Sequence, residues 1–254
     1  MAVYTDPCID GPNAWQAQSI AYSPDSGRTW TKYVGNSVLD LKARRFGDRK
    51  VIWHEPTKRW IAPIAYPDRR VVAIYSSPNL KEWTHISDFD SGGAECPDLF
   101  PMELDGTAET KWVMMVASGN YWVGESDGTP FTPDGGTTAR GRLDHGINYY
   151  AAQTFSDAPG GRRLLLAWMS DGFSRTGIWT QLPWQSGYTV VRELSLKMVW
   201  IACGNRDGLI RISQGVHGYL KENGVPHVWH VDGNAHDTTE WDNNLYLFSQ
   251  HLLR

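Results

Sequence analysis

Short apolar runs separated by turn-forming clusters recur along the first three quarters of the chain: Ser19–Tyr22, Val51–Trp53, Trp60–Ala65, Val71–Tyr75, Trp112–Ala117, Tyr149–Phe155 and Leu164–Met169. Each run is only a few residues long and lies between turn clusters. That is the pattern of β-strands, and no helical period appears before residue 197. Two segments repeat one another. Tyr22–Thr31 reads Tyr-Ser-Pro-Asp-Ser-Gly-Arg-Thr-Trp-Thr, and Tyr75–Thr84 reads Tyr-Ser-Ser-Pro-Asn-Leu-Lys-Glu-Trp-Thr. In both, a strand leads into a polar turn and Trp-Thr opens the next strand. A period of about fifty residues built from short strands predicts propeller blades.

The first repeat also fits the pattern Ser-x-Asp-x-Gly-x-Thr-Trp, at Ser23, Asp25, Gly27, Thr29 and Trp30. The chemistry predicts a turn in which Asp25 caps its own backbone, Gly27 takes a positive φ and Trp30 packs between sheets. Asp25 therefore marks the fold and is not a catalytic candidate.

After Leu196 the period changes. Met198–Cys203 reads as a buried strand, Ile212, Val216, Tyr219 and Leu220 keep helical spacing, and Val228–Val231 reads as another strand. Trp241, Leu245, Phe248 and Leu252 then predict an amphipathic helix. This βαβα order belongs to a parallel sheet. Residues 1–196 and 197–254 are accordingly expected to be two architectures, joined without a Pro/Gly/Ser linker.

Composition narrows the partners. The net charge is −4, from 24 basic and 28 acidic residues with no long like-charge run, so neither nucleic acid nor an anionic membrane is an expected partner. Thirteen Trp and eleven Tyr suit sugar-stacking platforms, although most aromatics in any fold are core. Cys8, Cys96 and Cys203 are odd in number and widely spaced; they read as thiols, and no metal or cofactor site follows from them. No export signal or membrane-spanning run is legible in the chain.

Glycoside hydrolysis needs two carboxyl groups facing each other across the scissile bond. Asp48, in Phe46-Gly47-Asp48-Arg49-Lys50-Val51-Ile52-Trp53, and Glu95, in Glu95-Cys96-Pro97-Asp98-Leu99-Phe100, stand at strand edges among aromatic and cysteine neighbours. These segments resemble motifs of the glycoside hydrolase family of invertases, levanases and inulinases. Lys50–Glu55 is similar to the strand after that family's Arg-Asp-Pro motif, and Glu95–Phe100 to its Glu-Cys-Pro-Asp motif. Asp144-His145-Gly146, Tyr149–Phe155, Gly161-Arg162-Arg163, Trp168-Met169 and Arg192-Glu193-Leu194 resemble its later blades in order. The resemblance covers residues 1–196. It implies a mainly β fold, a partial five-bladed β-propeller lacking its first blade, acting on a fructoside, sucrose or fructan. It also implies that Glu95 is the general acid/base and that Asp48 holds sugar hydroxyls and steadies the transition state.

Two departures accompany the resemblance. Arg-Asp-Pro is Gly47-Asp48-Arg49 here, and the family's Trp-Met-Asn-Asp-Pro-Asn-Gly segment, which carries its nucleophilic Asp, has no counterpart in the sequence. Asp6-Pro7 is only remotely similar to it. Hydrolysis by this chain is therefore expected to be impaired.

Residues from about 198 onward resemble the closing part of a feruloyl-esterase-like α/β-hydrolase. Ile201–Asp207 is similar to the strand and loop bearing a triad acid, and Gly233–Asp237 to the loop bearing a triad His. By that likeness Asp207 and His236 would form a dyad, yet no Gly-x-Ser-x-Gly elbow occurs in the sequence. Three readings follow: a fructosidase, a carbohydrate esterase, and a sugar-binding or fused fragment without catalysis.

Overall fold

The computed structural model describes all residues except 8–13, 106–108, 129, 171–185, 197–198, 224, 226, 238–241, 245 and 248–254. Its larger part consists of four antiparallel sheets in a propeller arrangement. The first sheet holds β1 (Ala2–Pro7), β2 (Gln16–Tyr22), β3 (Thr31–Lys32) and β4 (Leu39–Ala43); the second is the meander β5 (Ile52–His54), β6 (Arg59–Tyr66), β7 (Val71–Ser77) and β8 (Thr84–Asp90). The third holds β9 (Asp98–Glu103), β10 (Thr110–Met115), β11 (Asn120–Glu125), β12 (Thr132–Pro133) and β13 (Gly141–Arg142). The fourth holds β14 (Tyr149–Phe155), β15 (Arg163–Met169), β16 (Gly187–Tyr188) and β17 (Arg192–Leu194). Each apolar run named above overlaps one of these strands, with Val51, Val116 and Ala117 lying just beyond the strand ends.

Three buried clusters lie where successive sheets meet. Ala43, Phe46, Ile64 and Tyr75 join the first sheet to the second. Ile61, Val72, Phe89, Met114 and Trp122 join the second to the third. Phe100, Val113, Met115, Ala152 and Leu165 join the third to the fourth. On β10, Val113 and Met115 face one cluster while Met114, with Val116 just past the strand end, faces the other, the alternation that a pleated strand imposes. Strands covered on both faces read as continuous apolar runs, hence the run Trp112–Ala117.

The two repeats form equivalent turns. The Oδ1 of Asp25 accepts from the backbone amides of Arg28 and Thr29 at 3.0 and 2.8 Å, while Asn79 Oδ1 accepts from those of Lys81 and Glu82, both at 3.0 Å. Each Trp donates its indole N–H three residues back, Trp30 to Gly27 and Trp83 to Leu80. Gly27 and Leu80 both have positive φ, 89° and 64°. In one respect the expectation for the first turn is corrected. Trp30 folds over its own turn and is 50% exposed, because its indole is held by Gly27 and does not lie between sheets.

Beyond the fourth sheet, β18 (Val199–Gly204), α1 (Ile210–Glu222) and β19 (His227–Asp232) form a parallel βαβ unit. The apolar stripe of α1 does not bury as its spacing predicts: Ile212, Val216 and Tyr219 are exposed. Two paired strands offer too little surface to cover a helix face. The expected second helix, on Trp241, Leu245, Phe248 and Leu252, lies outside the described residues, as do Met198 and Cys8. Neither Cys96 nor Cys203 is in a disulfide among the described residues.

One buried polar group ties three blades. Asp98, at the start of β9, is fully buried; its Oδ2 accepts from the backbone amide and hydroxyl of Thr154 at 2.7 and 2.9 Å. Lys50 Nζ lies 3.4 Å from the same oxygen and donates to the Thr154 carbonyl. Burial raises the Asp98 pKa against the opposing pull of Lys50 and Thr154. Removing one partner of a buried pair strands the other, a loss of about 3 kcal/mol or more. Asp98→Ala should therefore lower stability by about 3 kcal/mol in urea unfolding. Asp98→Asn, which keeps an acceptor and sheds the unfavourable charge, should cost clearly less. Equal losses for the two variants would refute this account.

Candidate active site

Glu95 and Asp48 both precede the innermost strand of their blades. The Glu95 carbonyl accepts from the Ala117 amide at 2.8 Å, which fixes the approach to β9. Asp48 follows Gly47, whose backbone pairs with Ala65 of β6 at 2.9 and 3.1 Å. A β-carbon at Gly47 would meet Thr5 and Gln16 side-chain atoms at 3.0 and 3.1 Å, so blade one presses directly on this turn. The buried Gln18 donates to the Phe46 carbonyl at 2.7 Å and holds it from the other side.

Asp48, Cys96 and Ala151 all have left-handed backbones, with φ of 50°, 48° and 51°. Such conformations cost non-glycine residues on the order of 1 kcal/mol each and persist only where the surroundings enforce them. Three neighbouring blades thus carry the same departure at the mouth of the inner strand, and each re-aims the side chains beside it.

The Glu95 carboxylate is held from two sides. Arg45 Nη2 donates to its Oε1 at 2.7 Å and the Tyr150 hydroxyl to its Oε2 at 2.8 Å. These bonds, Arg45 first, hold Glu95 below the usual glutamate range, and its carboxyl is about a third exposed. Burial and the adjacent Glu95 raise Tyr150, which stays a neutral donor. The half-buried Cys96 thiol is pushed up to about 12 by burial and by the nearby charges of Asp48 and Glu95. Asp48, Cys96, Glu95 and Tyr150 are therefore one electrostatic cluster. The exposed indole of Trp168 stands edge-on to Tyr150, centroids 6.4 Å apart.

Sequence reasoning chose Asp48 and Glu95 and missed Arg45 and Tyr150 as their partners. The signal for Arg45 was a cation two residues ahead of the position where the family's Arg is Gly47. Asp6 lies on β1 with Lys32 at 3.9 Å. Asp207 and His236 do meet, His236 Nδ1 lying 2.8 Å from Asp207 Oδ2, with Asp207 buried and His236 half exposed. The Leu209 amide and His236 hold Asp207 below its usual range. Among the described residues no group of three or more His, Cys, Asp or Glu is arranged to hold a metal ion.

The model of the glycosyl hydrolases family 32 N-terminal domain matches residues 1–202. The levanase of Bacillus subtilis (strain 168) is 43% identical over 202 residues, covering 72% of this chain and 29% of that protein. The extracellular exo-inulinase of Meyerozyma guilliermondii is 38% identical over 197 residues, covering 71% of this chain and 38% of its own. Among solved structures, a fructofuranosidase from Schwanniomyces occidentalis complexed with fructose superposes with a TM-score of 0.67 at 34% identity, over 78% of this chain and 40% of that one. An exo-inulinase from Aspergillus awamori gives a TM-score of 0.66 at 30% identity, over 77% and 45%. The chain thus spans less than half the length of these relatives.

The Arg45 contact yields a pH-dependent expectation. A carboxylate whose folded pKa is lowered adds stability above its unfolded pKa and loses it as pH falls through the lowered value. Arg45→Met should therefore raise the Glu95 titration towards the ordinary glutamate range, read by carboxyl NMR. Its stability deficit against the native chain should be present near neutrality and vanish in acid. An unmoved Glu95 titration would mean that the ion pair does not form in solution.

Proposed function

Because the chain belongs to glycosyl hydrolases family 32, we propose that its blades form the acid/base half of a β-fructofuranosidase or levanase-type site. Glu95 is the general acid/base, and Asp48 holds sugar hydroxyls and offsets positive charge on the oxocarbenium-like transition state. The observation that carries this reading is the single cluster formed by Asp48, Cys96, Glu95 and Tyr150 at the entrances of neighbouring inner strands. Relatives at 30% identity or above are levanase, exo-inulinases and fructofuranosidase, one solved with fructose, which supports a fructoside as the substrate class.

Unliganded Glu95 is set up as a base, since two donors favour its ionised form. To protonate a leaving oxygen it must lose the Arg45 bond, and a sugar entering between the two groups would break that bond. The chemistry then depends on a second carboxylate as nucleophile. No Trp-x-Asn-Asp-Pro segment occurs in these 254 residues. We read the four blades as part of a five-bladed propeller whose first blade supplies that group, with residues 1–196 as the glycosidase-like unit and 197–254 as a separate α/β unit. The Asp207–His236 pair favours an esterase-like ancestry for the second unit. With no serine elbow in the sequence, we assign the pair a structural role.

Loss of an essential catalytic group commonly lowers rates by several powers of ten. Hydrolysis of sucrose, inulin or levan by this polypeptide alone should be barely detectable, and Glu95→Gln should change it little. Fructoside binding should weaken markedly in Asp48→Asn. Brisk turnover that Glu95→Gln abolishes would show that another acid, with Asp6 the first suspect, serves as nucleophile.

A further inference from the structure

The internal repeat places the first and second sheets in register. In each turn a serine hydroxyl accepts from the amide two residues on, Ser23 from Asp25 at 3.4 Å and Ser77 from Asn79 at 3.2 Å. Counting back from these serines, Ile20 and Gln18 of β2 match Ile74 and Val72 of β7. Their antiparallel partners then match as well: Val3 and Thr5 of β1 stand where Pro63 and Ala65 stand in β6.

The two strands differ on their other edge. In the second sheet Ala65 exchanges backbone bonds with Gly47 at 2.9 and 3.1 Å, and the Pro63 carbonyl accepts from the Lys50 amide at 3.3 Å. In the first sheet β1 pairs with β2 and with no other described strand. The direction of its remaining groups follows from β2. Ile20 donates its amide to Asn36 Oδ1 at 2.9 Å, its carbonyl accepts from Tyr33 at 3.0 Å, and the Gln18 carbonyl accepts from Val38 at 2.9 Å. Ile20 and Gln18 therefore point away from β1, and in an antiparallel ladder the residues opposite them, Val3 and Thr5, point away from β2. Among the described residues no group bonds to the backbone of either on that side. Native edges are commonly blunted by charge, proline or a bulge, yet Ala2–Thr5 carries none of these.

The space beside this edge is shaped for a strand. Val3 and Thr5 are half-buried, and Val3 lines a cavity of about 530 Å³ together with Lys50, Val51, Trp60 and Leu80. In the second sheet a single extended segment, Gly47–Lys50, serves the matching groups. A second folded sheet has less room, because the Gly47 turn stands against the Thr5 side chain and Lys50 reaches from there to Thr154 of the fourth sheet.

We propose that the edge of β1 is a docking site for one extended strand of a second polypeptide, which adds antiparallel to β1 through the backbone of Val3 and Thr5 and lays an apolar side chain into the cavity beside Val3. The site lies in the first sheet and stands whatever the chain hydrolyses.

The test follows the whole isotope-labelled chain by NMR while an acetylated, amidated peptide copying Gly47–Val51 is added. In the free chain the Val3 and Thr5 amides should exchange fast, and those of Ala2 and Tyr4, which face β2, slowly. On titration the Val3 and Thr5 amides should move downfield and become protected. The same peptide methylated on the nitrogen that corresponds to Lys50 should bind about fivefold more weakly, the effect of one ordinary hydrogen bond. Thr5→Pro should weaken the unmodified peptide by a similar factor. Thr5→Val and Val3→Pro should not, since the first keeps the amide and proline already stands at the position of β6 that matches Val3. Val3 and Thr5 amides that are protected without peptide or do not respond to it, or a methylated peptide as effective as the unmodified one, would each refute strand addition. A dimer in sedimentation that Thr5→Pro dissociates would refute it too, because the edge then takes a second copy of this chain.

Discussion

The buried carboxylate of Asp98 is the constraint around which the described propeller is organised. Sheets that pack only through apolar side chains can slide, because dispersion and the hydrophobic effect are weakly directional. Asp98 removes that freedom at the centre: it fixes the amide and hydroxyl of Thr154 on the next blade and draws in the ammonium of Lys50 from the previous one. Among the described residues its second oxygen has no hydrogen-bond partner. Since Lys50 lies two residues after Asp48, and Asp98 three after Glu95, the pin also sets the distance between the two acids proposed for the site.

The strain near the mouth has the same origin. Left-handed residues at Asp48, Cys96 and Ala151 are tolerated because the strands behind them are locked, by Gly47 and Ala65, by Glu95 and Ala117, and by Ala151 and Ala117. Rigid strands thus absorb the cost of awkward turns. Arg45 reaches the Glu95 carboxylate from a backbone position two residues before Gly47, and its guanidinium sits on the carboxylate itself.

Much of this was legible in the residues. The short apolar runs located the strands, the repeated Trp-Thr turns gave the blade period, and Glu95-Cys96-Pro97-Asp98 pointed to the acid that the cluster contains. The rest depends on side-chain reach, which no local pattern encodes. Arg45 and Glu95 are fifty positions apart and meet only because blade one and the Asp48 turn hold them there. Asp98 stood inside a quoted motif, but its burial appears only when Thr154 and Lys50 converge on it. Trp30 matched its turn pattern and still faces solvent, because the indole finds its acceptor in Gly27. The stripe on α1 was periodic and remains uncovered, because periodicity reports what a helix could bury and not whether a large enough surface exists.

The alternation along β10 has one more consequence. Met114 and Met115 are consecutive, yet each is sealed into a different core. A single backbone segment is therefore a wall common to two compartments, and neither compartment can relax alone. Enlarging one by a substitution shifts the strand and squeezes the other, so repacking on one side is transmitted through the partition to a cluster it never touches. The third blade consequently acts as a mechanical coupler, and its neighbours on either side share one packing problem.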